Sequence, residues 1–235
     1  MVCNEDAGLT AGRWHCDTPA GREELAACLV RDYRQACGDD RRTRVDMDGL
    51  IRDYLRLPLL YVRFADQEVL GFLSDGRRTL AIRQSGRIRT AVFPRCAVVI
   101  SAELHAEGHA GRENFTKAHE VAHYLRIRTG AAPAAANWLR LRKGGSASEA
   151  ILTREERMAD HLAAALLMPR DTVEAVLQLY GGLAAVCGNP ETLRQTVGRL
   201  GVSRTAFLRR LKELFLLPGG GAVIPEEKRK TGRNP

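Results

Sequence analysis

The chain has 235 residues, 45% hydrophobic and 27% charged, with a formal net charge of +8. That length holds one full core plus a small appendage, and the composition is that of a soluble globular protein, not a disordered or fibrous one. No apolar run approaches membrane-spanning length, the first twenty residues hold no apolar signal core, and the six cysteines form no C-x-x-C pair; a cytoplasmic protein with reduced thiols is expected.

In chain order, residues 1–21 are polar and read as disordered. Cys3, His15 and Cys16 lack a fourth partner for a metal cluster. Arg22–Cys37 reads as an amphipathic helix with Leu25, Cys28, Leu29, Tyr33 and Ala36 on one side, and Asp46–Arg56 as a shorter helix. Five strand signals follow, at Leu59–Phe64, Val69–Leu73, Thr79–Arg83, Ile88–Phe93 and Ala97–Ser101, punctuated by Asp-Gly, Ser-Gly and Pro. Their close spacing favours an antiparallel or mixed sheet over βαβ units.

The pentapeptide His119-Glu120-Val121-Ala122-His123 carries the most chemistry. Residues four apart share a helical face, so the two imidazoles can meet one ion while Glu120 sits about 100° around the helix, beside it. Zinc chemistry needs two neutral nitrogens, an open position and a nearby base. Two surface histidines placed by chance would give the same pattern. Phe115, Ala118, Ala122 and Leu125 supply a buried stripe, Asn114 or Thr116 can cap the helix start, and Gly130 ends it. His105 and His109 form another pair four apart, but with Gly108 between them and no base they read as a solvated helix end.

A third ligand is required, and Glu156 is the leading choice, with Glu155 one position away as its rival. Glu156 and Asp160 share a helical face, so one can bind metal while the other accepts a ring N–H from a ligand histidine. Thr153-x-x-Glu156 is also a capping box, which accounts for Glu156 without a metal. His161 reads as surface. Between the two segments, residues 129–152 read as either a lid or, more simply, a surface insertion. Thr153–Met168 is a helix stopped by Pro169, and Asp171–Tyr180 is another.

Residues 190–217 look like a helix-turn-helix: one helix ends at Gly201, Val202 fills the angle, and Ser203 caps the next. Six basic residues stand there against two acidic ones, a net +4. Arg204, Arg209 and Arg210 could touch DNA, although Leu193, Val197, Leu200, Phe207, Leu211 and Leu214 are more apolar surface than a turn core needs. The tail, 218–235, is Gly-rich and then charged, and reads as disordered.

Phe115-Thr116-x-Ala118-His119-Glu120-x-x-His123, followed by Glu156-x-x-Ala159-Asp160-x-x-Ala163-Ala164-x-Leu166-Leu167-Met168-Pro169, resembles the ImmA/IrrE metallopeptidase family over roughly residues 45–217. The resemblance implies an α+β fold: a minimal zincin-like domain over 22–189, its small sheet beside the H-E-x-x-H helix, with helix-turn-helix-like C-terminal helices over 190–217. It implies one zinc ion per chain on His119, His123 and Glu156, Glu120 as general base, and Asp160 orienting a ligand histidine, His119 being the expected one. Family members often have Gly where Ala122 stands and an aromatic where Leu162 stands, differences that concern packing more than metal.

By the same resemblance the activity is a zinc endopeptidase of narrow specificity acting on a regulatory protein such as a helix-turn-helix repressor, in stress response or mobile-element control. Ala97–Ser101 is then a candidate edge strand for holding extended substrate. No oxyanion donor follows, Tyr124 and His161 included. The rival reading is a DNA-binding transcriptional regulator whose zinc is sensory or structural.

Overall fold

The computed structural model describes residues 16–38, 43–106, 110–131, 139–141 and 149–214. The expectations for Cys3, His15, His109, most of the segment 129–152 and the tail 218–235 lie outside them.

Helix α1 (Pro19–Cys37) starts three residues before the expected Arg22. Thr18 Oγ1 accepts the Gly21 N–H at 3.0 Å and Pro19 takes the first turn, where its missing N–H costs nothing. Gly38 closes the helix in the left-handed conformation. Leu25, Ala26, Leu29, Val30 and Tyr33 form the buried stripe, while Ala36 is exposed. The second helical segment is a short turn, α2 (Met47–Gly49), running on into a π-helical stretch over Leu50–Tyr54.

All five strand expectations hold: β1 (Leu59–Val62), β2 (Val69–Leu73), β3 (Thr79–Gln84), β4 (Arg87–Val92) and β5 (Val98–Ser101). They make two units, not one. The larger sheet has the order β1-β5-β2-β6, where β6 is Leu139–Leu141; β1 and β5 are parallel and the other pairings antiparallel. The sheet is therefore mixed. It also corrects the edge-strand expectation, because β5 lies in the middle with a strand on each side and has no free edge to offer a peptide. Within 129–152, β6 pairs with β2, so that part is a sheet element and not a surface insertion. β3 and β4 form a hairpin whose β3 edge is hydrogen-bonded to the chain after β1, Arg83 N–H to the Arg63 carbonyl at 2.7 Å and Ala65 N–H to the Ala81 carbonyl at 2.9 Å.

Alternation along β5 divides the core. Val98 and Ile100 face the main cluster with the helices, and Val99 faces a second cluster of Phe64, Val69, Phe72, Phe93 and Ala97. Across the first face lies α4 (Ala110–Arg128), preceded by α3 (Ala102–Ala106). Gly71 of β2 permits the close approach: a Cβ there would stand 2.9 Å from both Thr116 Cγ2 and the Val99 carbonyl oxygen. With α5 (Glu149–Leu167) on its other side, α4 is buried almost all round from Glu113 to Arg126. A single apolar stripe predicts less than that. The added burial is polar and paired: Lys117 Nζ lies between Asp48 and Glu113, and the Tyr61 hydroxyl donates to Glu113 at 2.9 Å.

The remaining helices are α6 (Arg170–Leu179), α7 (Leu183–Gly188), α8 (Pro190–Leu200) and α9 (Arg204–Glu213). The α8–α9 turn is built as expected, with Gly201 left-handed at φ 69° and Ser203 Oγ accepting the Ala206 N–H at 3.1 Å. Its apolar side does not form a core of its own. Leu193, Leu200, Val202, Phe207, Leu211 and Leu214 join the same cluster as α4 and α5. No helix among the described residues is long and apolar enough to cross a membrane.

Candidate metal centre

The fold brings three of the expected side chains together. His119 and His123 sit one turn apart on α4, their Nε2 atoms 3.0 Å from each other. Glu156 of α5 presents one carboxylate oxygen at 3.0 Å from His119 Nε2 and the other at 3.3 Å from His123 Nε2. A metal ion can bind such a group, since one donor atom from each residue lies within 4.8 Å of the others. Both histidines are buried and Glu156 is one-third exposed, so the site opens toward water on its carboxylate side.

Electrostatics suit the donor set. Burial drops the His123 imidazole to about 4, so at neutral pH it is in the neutral, metal-binding form. Burial alone would raise Glu156, but hydrogen bonds and charge from His119 and His123 outweigh it and hold the carboxyl far below its usual range.

Asp160, one turn after Glu156, accepts at Oδ1 from His119 Nδ1 at 2.9 Å. That contact leaves Nε2 facing Glu156 and His123, the usual division of labour for a ligand histidine. Arg209 of α9 lies 3.5 Å from Asp160 Oδ2, with its Nε on Glu213 at 3.0 Å. A chain of contacts thus runs from α9 through Asp160 to His119, which the sequence reading missed. Glu120 is fully buried on α4 between the two histidines in sequence.

Glu155, the rival ligand, turns away. It pairs with the guanidinium of Arg126, a fully buried α4 residue that also donates to the Glu155 and Ala131 carbonyls, both at 3.3 Å. This clamp holds the start of α5 against α4 and is a second element the sequence reading missed. Its signal was Arg126, set between Leu125 and Ile127 one turn after His123.

Four further expectations change. Thr153 is the fifth residue of α5, inside the helix and not at its cap, so the capping-box explanation of Glu156 lapses. Asn114 and Thr116 are interior to α4: Thr116 Oγ1 donates to the Arg112 carbonyl, and Asn114 Nδ2 to the Gly201 carbonyl at 3.2 Å, tying α4 to the α8–α9 turn. His161 is mostly buried, accepting from Arg22 Nε at 3.4 Å with Glu23 at 3.7 Å, where burial and Arg22 push it to about 4. Arg210 is fully buried, bidentate to Glu23 of α1 and donating to the Met168 carbonyl at 2.9 Å, and so cannot reach DNA. His105 is exposed beside Glu113, as a helix-end residue should be.

Against known families, residues 99–212 match the peptidase family M78 model, described as the IrrE N-terminal-like domain. That stretch contains both ligand segments, α8 and all but the last residue of α9, and over it the chain is similar to the ImmA/IrrE family of metallopeptidases. No curated protein matches the chain.

Proposed function

We propose that this protein is a zinc-dependent endopeptidase of narrow specificity that cleaves a regulatory protein, such as a helix-turn-helix repressor, in the cytoplasm. The observation that carries the reading is the convergence of His119 Nε2, His123 Nε2 and the Glu156 carboxylate, with Asp160 behind His119. Two imidazoles and one carboxylate suit zinc in an open, catalytic site. A zinc ion bound there supplies a Lewis acid for a peptide carbonyl and acidifies water. Asp160 keeps the His119 ring in one tautomer and orientation. The Glu120 carboxylate takes a proton from the attacking water and returns it to the leaving amine nitrogen. The substrate class rests on the family, whose members act on repressors in stress response or mobile-element control.

The organisation that goes with this reading is a catalytic body over 22–189 to which 190–217 is docked, serving recognition and not autonomous DNA binding. The regulator reading needs Arg204, Arg209 and Arg210 together. Arg210 is buried against Glu23 and Arg209 is engaged with Asp160 and Glu213, which leaves Arg204. The test is incubation with a repressor encoded beside this gene, with and without a chelator. Cleavage that the chelator stops and added zinc restores supports the reading; uncleaved repressor in both arms rejects it.

A further inference from the structure

The β3–β4 hairpin and the residues flanking it are strongly basic. Residues 76–95 contain six arginines (77, 78, 83, 87, 89 and 95) and no aspartate or glutamate. All six are exposed, and none forms a salt bridge with a described residue. Arg83 has one weak hydrogen bond, to the Ala65 carbonyl at 3.4 Å. Ser85 and Gly86 turn the chain at φ 52° and 75° in a tight two-residue turn, and beyond Arg83, where the pairing of β3 with residues 63–65 ends, the tip is a two-stranded ribbon.

The strand register distributes the charge. Opposed residues share a face, so Arg83 and Ile88 lie on one side, while Gln84 with Arg87 and Ile82 with Arg89 lie on the other. Leu80, Ile82 and Ala91 fix the second side to the Phe64–Phe72–Phe93 cluster at the hairpin's base. Toward the tip, arginines therefore project from both faces. Ile88 and Val92, 62% and 53% exposed, stand on the outward face with Arg83.

We propose that this hairpin docks into the major groove of duplex DNA. A two-stranded ribbon fits that groove, and guanidinium groups match phosphate geometry. Charge on both faces decides between polyanions. An acidic protein patch is one-sided and meets one face of a ribbon, whereas a groove has phosphates on both walls. Ile88 and Val92 supply apolar surface for thymine methyls or sugars. The surface is separate from the metal centre, so the proposal stands or falls independently of the peptidase reading.

The test is fluorescence anisotropy of a short labelled DNA duplex of mixed sequence with the full chain, across a salt series. Wild type should bind with an affinity that falls linearly on a log–log salt plot. R83Q/R87Q/R89Q should weaken affinity at least about tenfold and reduce the slope by about three units, near 0.9 for each phosphate no longer neutralised. R31Q/R199Q/R204Q, which removes the same charge elsewhere, should keep the wild-type slope. S85D, which retains every arginine and suits the left-handed turn position, should also weaken binding, and it decides the matter if the triple variant unfolds. The proposal is overturned if wild type fails to bind at low salt, if the two triple variants are weakened equally, or if S85D binds as wild type. Tighter binding of poly-glutamate, with displacement of the duplex, also overturns it and assigns the face to an acidic protein.

Discussion

The α4–α5 pair and the β3–β4 hairpin use the same residue type in opposite ways. On α4, Arg126 is fully buried, and its guanidinium is matched by the Glu155 carboxylate and two backbone carbonyls. Arg210 on α9 is treated alike, locked to Glu23. In the hairpin and its flanks, six arginines stay in water without a salt-bridge partner among the described residues. A buried charge must be paired or it costs several kcal/mol, so the first kind fixes geometry. An exposed, unpaired charge contributes little to folding, so the second kind is available to a partner. Net charge alone does not separate the two.

The comparison can be broken first where α9 packs on the catalytic body. Phe207 is fully buried in the cluster shared with α4 and α5. Phe207→Ala should cost about 3–5 kcal/mol in urea unfolding, through the apolar burial it removes and the cavity left behind. A cost under about 1 kcal/mol would mean that α8–α9 is a loosely attached module. Arginines of the hairpin should behave otherwise: R83Q/R87Q/R89Q should stay within about 0.5 kcal/mol of wild type in the same measurement.

At the centre itself, Glu120→Gln should keep the metal and the fold yet reduce the peptidase rate at least about a hundredfold, as expected when a general base is removed. Unchanged turnover would place the base elsewhere. Asp160→Asn should weaken metal affinity by about 10–100-fold in chelator competition. Arg209→Ala, which acts through Asp160 from a half-exposed position, should have a smaller effect in the same direction.

The smallest expected effect is on pH dependence. Burial holds His161 near 4 in the folded chain, against about 6.5 when unfolded. Its folded pKa is lowered, so the contribution is complete above about 6.5 and is lost as pH falls toward about 4. His161→Gln should flatten that part of a stability-versus-pH curve in metal-loaded protein. An unchanged slope would mean that this ring titrates normally.

What the sequence disclosed follows from the range of each interaction. His119 with His123, and Glu156 with Asp160, were legible as pairs because helical periodicity sets which residues share a face. The choice of Glu156 over Glu155 came from the family resemblance, and the meeting of the two pairs depends on α4 docking on α5. The five strands and the Gly201–Ser203 turn were legible from alternation and capping chemistry. Long-range placement was not. The central position of β5 depends on β2 and β1 choosing it as neighbour, and nothing local to Ala97–Ser101 encodes that. Asn114 looked like a cap because its side chain suits one, but its partner is Gly201, 87 positions away. Arg126 and Arg210 were legible as charges, not as buried ones, because Glu155 and Glu23 become partners when helices dock. The basic stretch between residues 76 and 95 is legible as six arginines without an acid, but their distribution over both faces of the hairpin follows only from the strand register.

The central claim, that His119, His123 and Glu156 hold one zinc ion, is tested most directly by metal analysis of His123→Ala beside wild type, after dialysis against zinc and removal of excess. The account predicts one zinc per wild-type chain and a value near zero for a variant that remains folded by circular dichroism. Full zinc occupancy in folded His123→Ala would contradict it.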